Sequence, residues 1–278
     1  MTKQLLIYQN LVLLNNERHR DWSVKMGTDF SFAKDVTSVP LTAVEFRNAA
    51  LDYPIVFAEA GDEVLPVAVM GVKADQNLYI DAEGNLDAAY IPAFLRRYPF
   101  VFSASEDGKT LSLCIDESYQ GVNQQGRGER LFDADGERTQ FLNSVLGFQQ
   151  EYEAQFNQTK TFCAKLQELG LFESMTATLG LPEGQKFSLT GFKGISREKL
   201  MAIPGEQLEQ LSKTGQLELA YCHLQSLGNF RRMAEKVSPG EAVEAVQPDE
   251  AVESEKKAAR KSTKKASKKA SPEAAAGS

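Results

Sequence analysis

A long stretch of helical periodicity divides this sequence into two parts of different character. From Glu137 to Gly170, large apolar residues recur at steps of three and four, the spacing that puts them on one face of an α-helix. The stretch is longer than most helices, so a break near Asn157 is an alternative to one continuous helix. Glycine commonly ends a helix, so Gly170 is the expected C-terminal end of this one. This apolar stripe consists of Phe141, Val145, Phe148, Tyr152, Phe156, Phe162 or Cys163, Leu166 and Leu169.

Before this helix, short apolar runs separated by turn residues predict closely spaced strands. Such spacing favours antiparallel pairing, because only antiparallel strands can be joined by tight turns. Thr42 and Glu45 form a capping-box pattern that opens a short helix, and Pro92 opens another. Residues 4–14 form a strand or, alternatively, a short buried run. The other predicted strands are Trp22–Met26, Ile55–Ala58, Val64–Val72, Asn77–Ile80, Phe100–Ser103 and Thr110–Ile115.

After the long helix, the pattern predicts mainly helices. We expect a short helix over Phe172–Leu179, a strand over Lys186–Thr190 and short helices opening at Ser196 and Pro204. The last helical segment lies within Leu217–Lys236. The fold class is therefore α+β: a mostly antiparallel N-terminal half with short helices, a long helix and a helical C-terminal half, then a tail.

The end of the chain has the composition of a disordered tail. Aromatic residues stop at Ser238, an acidic stretch follows, and a Lys/Ala/Ser stretch comes last. Such a segment cannot bury enough apolar surface to offset the entropy lost on ordering. We predict one globular domain over residues 1–236, with any subdomain boundary near 120–136, and a disordered tail over 237–278.

The globular part and the tail also differ in net charge. Residues 251–278 hold eight of the 31 Lys/Arg and three of the 38 Asp/Glu, a net +5, which leaves 23 basic and 35 acidic residues, or −12, in the first 250. An acidic body argues against nucleic-acid binding by the fold itself. The tail is a candidate for weak contact with nucleic acid or an anionic surface, and a solvated tail is the alternative. Its anion-binding candidates are Lys256, Lys257, Arg260, Lys261, Lys264, Lys265, Lys268 and Lys269.

Cysteine usage and hydropathy predict a cytoplasmic protein. The three cysteines Cys114, Cys163 and Cys222 lie far apart and form no CxxC pair, which favours reduced thiols. No leader peptide is recognisable near the start. No apolar run approaches the length that spans a bilayer, so we expect no transmembrane segment.

The sequence offers few groups for catalysis. His19 and His223 are the only histidines, so a multi-histidine metal site is excluded, and a mixed site of His223, a cysteine and carboxylates is the alternative. Ser226 lies one helical turn after His223, but no orienting acid or oxyanion hole is visible, and a structural histidine is the favoured interpretation. Cys114 precedes Asp116 and Glu117, whose charges disfavour a thiolate. We predict no catalytic residue, no metal ligand and no cofactor.

Two glycine-containing patterns are weak matches to known ligand loops. Gly121 to Gly128 has the glycine spacing of a P-loop, but Arg127 and Gly128 replace the essential Lys and Ser/Thr. A mobile polar loop between subdomains is preferred, with Arg127 and Arg130 facing an anion as the alternative. Asp81–Gly84 and Asp133–Gly136 lack calcium-ligand spacing and are predicted to be plain turns.

Paired arginines give the first candidates for a ligand site. Arg96 and Arg97 lie among aromatic residues and suggest either a carboxylate clamp or ion pairs with the acidic body. The ion-pair interpretation is favoured. The predicted ligand-binding candidates are Arg96, Arg97, Asp116, Arg127 and His223.

Several stretches together resemble one bacterial family. They occur in one order over about residues 5–235, and Tyr90–Phe102 is the strongest of them. The pieces are Asn15–Arg20, Phe30–Ala33, Val39–Leu41, Glu45-Phe46, Asp52–Phe57, Tyr90–Phe102, Leu113–Asp116, Phe192 and Ala220–Leu227. In these pieces the chain resembles the SapC family.

The resemblance implies a bacterial protein associated with the surface (S-) layer, with relatives encoded beside outer-membrane receptors and flavin-dependent halogenase-like proteins. It implies no particular reaction. We therefore expect a non-enzymatic accessory protein with a protein partner, in the cytoplasm or, by non-classical export, at the cell surface. The alternatives are a ligand binder or enzyme with a pocket between sheet and long helix, and anion binding by the tail.

Overall fold

A computed structural model describes most of the chain before residue 238. The described residues are 6–61, 63–105, 110–180 and 186–237. The eight basic residues predicted to bind anions in the tail lie outside them, as does the predicted disordered tail, 237–278, apart from Val237. The α+β fold class is confirmed by antiparallel sheets, several helices and one long helix.

Contacts divide the described chain into two compact units. The first takes residues 6–27 and 97–149, and the second takes 28–96 and 150–237. The stretch 120–136, near which a boundary was predicted, lies inside the first unit.

The strands are short except in three hairpins. In chain order they are β1 (Leu11–Leu13), β2 (Ser23–Val24), β3 (Ser38–Pro40), β4 (Ile55–Ala60), β5 (Glu63–Val69), β6 (Phe100–Ala104), β7 (Leu111–Asp116), β8 (Val122–Asn123), β9 (Glu129–Arg130), β10 (Phe172–Gly180) and β11 (Lys186–Ile195).

The helices range from one turn to eight. They are α1 (Asn16–His19), α2 (Phe46–Ala49), α3 (Ala93–Arg96), α4 (Gln140–Glu168), α5 (Arg197–Ala202), α6 (Gly205–Lys213), α7 (Gln216–Ser226) and α8 (Asn229–Glu235), with 3-10 turns at Ser31–Ala33 and Ala43–Glu45.

The first unit contains two three-stranded antiparallel sheets, in the orders β1-β7-β6 and β8-β2-β9. The expected antiparallel pairing is present between β6 and β7, with Phe100 opposite Ile115. Alternate residues of β6 and β7 belong to one hydrophobic cluster, because successive side chains of a strand point to opposite faces. Its buried members are Val24, Phe100, Phe102, Leu113, Ile115, Leu131, Phe132 and Leu142.

The second unit is built on a five-stranded antiparallel sheet in the order β10-β11-β4-β5-β3. Phe46 on α2 packs against Phe57 on β4 and Phe162 on α4, with ring centres 6.3 and 6.1 Å apart. The Thr159 hydroxyl of α4 accepts a hydrogen bond from Ala43 N–H (2.7 Å). These contacts hold the C-terminal half of the long helix against this unit.

The long helix runs without a break. Helix α4 covers 29 residues, or about 44 Å, so the alternative of a break at Asn157 is wrong. Gly170 ends it in the left-handed conformation (φ +65°), and Leu171 N–H bonds back to the Leu166 carbonyl (3.0 Å). The predicted C-cap is thus confirmed.

Two predicted elements are wrong. Phe172–Leu179 is strand β10, not a helix, because it pairs with β11 along its length. Asn77–Ile80 is not a strand. The Asn77 side chain donates to the Ala33 carbonyl (3.1 Å) and accepts from Tyr79 N–H (2.9 Å), which curls the chain locally.

Candidate functional site

The five predicted ligand-binding residues lie in both units. Arg97, Asp116 and Arg127 are in the first unit, whereas Arg96 and His223 are in the second. Within the first unit, only Arg97 and Asp116 are brought into one cluster.

Asp116 is the centre of a buried hydrogen-bond cluster. Its side chain at the end of β7 is wholly buried and accepts main-chain N–H groups from Gln9 (2.7 Å) and Asn10 (3.0 Å). Ser118 adds its N–H (3.0 Å) and hydroxyl (2.5 Å), and the Tyr98 hydroxyl lies 3.4 Å away. These donors satisfy a charge that would otherwise be costly to bury. They also fix the chain before β1 to the end of β7.

Arg97 lies on the tyrosine-lined side of this cluster. It is 3% exposed, and its guanidinium carbon is 6.0 Å from the centre of the Tyr8 ring. The Tyr8 and Tyr98 rings are 5.4 Å apart, and Tyr98 faces Asp116. Burial raises the pKa of Tyr98, so its hydroxyl remains protonated. Arg97 and Asp116 are therefore connected through two tyrosines within the fold.

A second ionic cluster, around Glu117, was not predicted. Arg18 donates from Nε and Nη2 to the two carboxylate oxygens of Glu117 (2.6 and 2.7 Å). His19 Nε2 lies 3.1 Å from the same carboxylate, and His19 Nδ1 lies 3.1 Å from the Asn15 carbonyl. The bond from Arg18 lowers the pKa of Glu117, and burial lowers the pKa of His19. These bonds attach helix α1 to Glu117, the residue that follows β7.

The glycine-containing loop is held by one amide side chain. Asn123 Nδ2 bonds the carbonyls of Gly121 and Arg127 (both 2.9 Å), and its Oδ1 accepts Arg127 N–H (3.0 Å). Arg127 extends outward and bonds Gln125 (3.2 Å), while Arg130 lies 3.5 Å from Asp21. The loop is a tight connection within the first unit that joins strands on either side of β2. The prediction that this loop connects two subdomains is therefore wrong.

His223 bridges two strands of the second unit. Its Nε2 accepts a hydrogen bond from Ile195 N–H (3.0 Å), and its Nδ1 donates to the Ile55 carbonyl (2.9 Å). Strands β11 and β4 pair directly only at Lys193 and Phe57, and Ile195 and Ile55 are two residues further along in that register. The imidazole therefore spans the gap where a direct ladder bond would otherwise form. Burial lowers its pKa to about 4, so it is neutral at pH 7.

Neighbouring residues complete the His223 bridge. Ser226 Oγ accepts the Ile55 N–H (3.0 Å) and donates to the main-chain carbonyl of His223 (2.6 Å). Gly194 leaves room: a Cβ there would lie 1.9 Å from Met175 Sδ and 3.3 Å from His223 Nε2. A side chain at this position would push against both. The structure thus gives His223 and Ser226 a role in packing α7 against the sheet.

Arg96 is connected to a buried carboxylate through Tyr90, whose hydroxyl accepts a hydrogen bond from Arg96 Nη2 (3.4 Å). Its Nε bonds the Ile91 carbonyl (3.0 Å), and its guanidinium lies 5.9 Å from the Tyr90 ring centre. The Tyr90 hydroxyl donates to Glu45 (3.0 Å), which also accepts Ala93 N–H (2.7 Å). Burial, with the charge of Glu45, raises the pKa of Tyr90 to about 12.

Glu45 also completes the predicted capping box. It accepts the N–H (2.8 Å) and the hydroxyl (2.9 Å) of Thr42. One buried carboxylate thus joins the start of the short helix to the chain that opens α3.

The thiols are unsuited to nucleophilic chemistry. Burial raises the pKa of Cys114 to about 11 and raises those of Cys163 and Cys222. Among the described residues, no three His, Cys, Asp or Glu side chains are grouped to hold a metal ion. In the same part of the chain, no helix has both the length and the apolar character needed to cross a membrane.

Two open depressions lie in the second unit. One, of about 280 Å³, lies between β5 and α4 and is lined by Glu63, Val64, Leu65, Lys160, Thr161, Ala164 and Gln167. The other, of about 510 Å³, is lined by Asp52, Tyr79, Leu86, Asp87, Ala88, Ala89, Arg232, Glu235 and Lys236. None of the five predicted ligand-binding residues lines either depression.

The family model described as SapC matches residues 14–233. The chain belongs to the SapC family. No curated protein and no solved structure shows a significant match to this SapC chain.

The stretches that carried the SapC resemblance contact one another within each unit. In the first unit, Asn15–Arg20 bonds Glu117, the residue directly after Leu113–Asp116. In the second unit, Glu45 bonds the stretch Tyr90–Ala93, and Ala220–Leu227 bonds Ile55. The polar residues of these SapC stretches therefore join separate parts of the chain to one another.

Sequence reasoning found Asp116 but missed Glu117, Arg18 and Glu45 as cluster members. The sequence contained part of the information, because Glu45 and Arg18 lie inside two of the stretches that resemble the SapC family, Glu45-Phe46 and Asn15–Arg20. Glu117 was considered only for its effect on Cys114. Chemically, the clusters hold neutral histidines, paired carboxylates and protonated tyrosines, a set that stabilises main-chain geometry.

Proposed function

We propose that this SapC-family protein acts by binding rather than by catalysis, as an accessory protein in cell-surface or uptake biology. The observation that carries the proposal is the bonding of its two histidines. Both ring nitrogens of His223 bond main-chain groups, and those of His19 face Glu117 and Asn15. A histidine committed in this way lacks a nitrogen for proton transfer to a substrate. The surface role rests on the family resemblance alone.

Affinity capture tests the proposal. The full chain, tagged and expressed in its own cells, is cross-linked and its neighbours are quantified by mass spectrometry. We expect one protein partner to be enriched in a fixed ratio. The variant Arg47→Ala, which removes one exposed ion pair with Glu218, is a control for general surface effects. Recovery of the chain alone would contradict the proposal.

A small-ligand binder or an enzyme is the second candidate, favoured by the depression between β5 and α4. Lys160 there lies 3.5 Å from Glu63, so the wall carries both charges. A metabolite that raises the melting temperature of the protein, but not of Lys160→Ala, would favour this candidate. The cytoplasm is the expected location, with the cell surface as the alternative.

Tail-mediated anion binding is the third candidate, and charge supports it: the last 28 residues carry +5. Deletion of residues 238–278 is expected to abolish binding to nucleic acid or anionic vesicles while the far-UV circular dichroism of the body is retained. Binding of the full chain should weaken steeply with salt. Unchanged binding after deletion would reject the tail as its source.

A further inference from the structure

The five-stranded sheet of the second unit has two very different edges. At one edge, β3 is three residues long, buried, and ends in Pro40, all features that block further strand pairing. At the other edge, β10 is nine residues long, and the side chains of Ser174, Thr176 and Thr178 are exposed. Its sequence contains no Lys, Arg or Pro, and Glu173 is its only charge. Edge strands usually carry such protective residues. Among the described residues no strand pairs with the outer side of β10, so in that part of the chain β10 is an open edge.

The free hydrogen-bonding groups of β10 can be assigned from the ladder. Ser196 N–H bonds the Leu171 carbonyl (2.9 Å), which makes Leu171 a hydrogen-bonded position against β11. Because such positions alternate, odd-numbered residues of β10 point their main-chain groups toward β11 and even-numbered residues point theirs outward. In agreement, the Phe172 carbonyl accepts Lys199 Nζ (3.0 Å) from outside the ladder. Ser174, Thr176 and Thr178 therefore present N–H and C=O groups at the edge.

The edge is also regular. The register shift in this hairpin lies between Met175 and Ala177 of β10, where β11 contributes one extra residue. Gly191, in the positive-φ conformation (+83°), accommodates that bulge. The irregularity is thus confined to the inner strand, and β10 keeps an unbroken alternation. An incoming strand would meet an uninterrupted row of donors and acceptors.

We propose that β10 pairs with β10 of a second copy of this chain, antiparallel and centred on Thr176. Thr176 then faces Thr176 of the partner, and Ser174 faces Thr178 on both sides of the two-fold axis. All three are even-numbered positions whose main-chain groups point outward, so the pairing forms hydrogen bonds at each. The two sheets join into one of ten strands.

A second copy fits this edge because the strand is complementary to itself. The exposed face brings hydroxyl opposite hydroxyl, a favourable cross-strand combination. On the other face Glu173 lies opposite Leu179, so no like charges meet. A two-fold arrangement also closes the assembly at a dimer, since β3 at the far edge is blocked.

Charge substitution at the axis tests the pairing sharply. Residue 176 meets itself only if the axis passes there, so Thr176→Lys and Thr176→Glu should each place like charges opposite one another and weaken the dimer roughly fivefold or more. Mixing the two variants should restore a dimer, now a heterodimer. Thr176→Val keeps the N–H and the β-branch and is the matched control.

The measurement is light scattering with native mass spectrometry on the full chain at low salt. We expect the wild type and Thr176→Val at twice the chain mass of 30.7 kDa, each charged variant shifted to monomer, and their mixture dimeric. Unchanged circular dichroism will show that the fold is retained. A wild-type monomer at every concentration would overturn the proposal. A dimer that both charged variants leave unchanged would also overturn it, because the dimer would then form elsewhere. If the substitutions instead release a different protein partner, the edge binds that partner and the proposal is likewise wrong.

Discussion

Replacing His223 tests whether this side chain acts as a structural bridge. The imidazole accepts from Ile195 N–H and donates to the Ile55 carbonyl, and both partners lie within the buried sheet. His223→Ala leaves two buried main-chain groups without partners and opens a cavity beside Phe57, whose ring centre is 5.0 Å from the imidazole. Each unsatisfied group costs about 1–3 kcal/mol, and the cavity adds to this, so we expect a loss of about 3–6 kcal/mol.

The same histidine makes stability depend on pH. Its pKa in the folded protein is about 4, against about 6.5 in an unfolded chain. Between these values the unfolded chain binds a proton that the folded chain does not, so stability is complete above pH 6.5 and falls as the pH is lowered. The slope is about 1.4 kcal/mol per pH unit, or roughly 3 kcal/mol in total by pH 4.

Denaturant unfolding at pH 7, 6, 5 and 4.5 measures both effects. His223→Gln is the matched variant, because its amide offers a donor and an acceptor but does not titrate. We expect it to be less stable than wild type at pH 7 and to have a flatter pH dependence. His19, whose pKa is also lowered by burial, contributes equally to both proteins and cancels in the difference. Equal slopes for wild type and His223→Gln would refute the bridge.

Two further substitutions test the packing around these clusters. Gly194→Ala should destabilise the protein by about 1–3 kcal/mol, because the new methyl overlaps Met175; Met175→Ala in the same chain should recover part of the loss, and thermal melts showing no recovery would contradict the overlap. Asp116→Asn should cost about 2–4 kcal/mol, because its N–H₂ group replaces one carboxylate oxygen and then faces either the Gln9 N–H or the N–H groups of Asn10 and Ser118; urea unfolding that matches wild type would show that the carboxylate is not needed.

Local sequence patterns were sufficient to predict those elements whose conformation depends on residues close in sequence. The Thr42–Glu45 capping box, the antiparallel β6–β7 pair and the long helix each depend on residues close in sequence, and all three are present. The segment Phe172–Leu179 was misread because its partner β11 decides its conformation. Residues with modest preferences for either state, such as Met175, become strand when a ladder is available.

The polar clusters depend on contacts that no short window contains. Asp116 binds Gln9 and Asn10 across more than 100 residues, and His223 reaches Ile55 across 168. The sequence indicated that His223 is structural, but not what it bridges. The adjacent Arg96 and Arg97 also belong to different units, which adjacency alone does not predict.

Native mass spectrometry on the protein purified gently from its own cells tests the central claim, that this SapC-family chain acts by binding a protein partner. The account predicts a complex whose mass exceeds that of the chain and its homodimer by one or more further polypeptides. A chain that instead carries a stoichiometric small molecule, converted to a product during incubation, would contradict it.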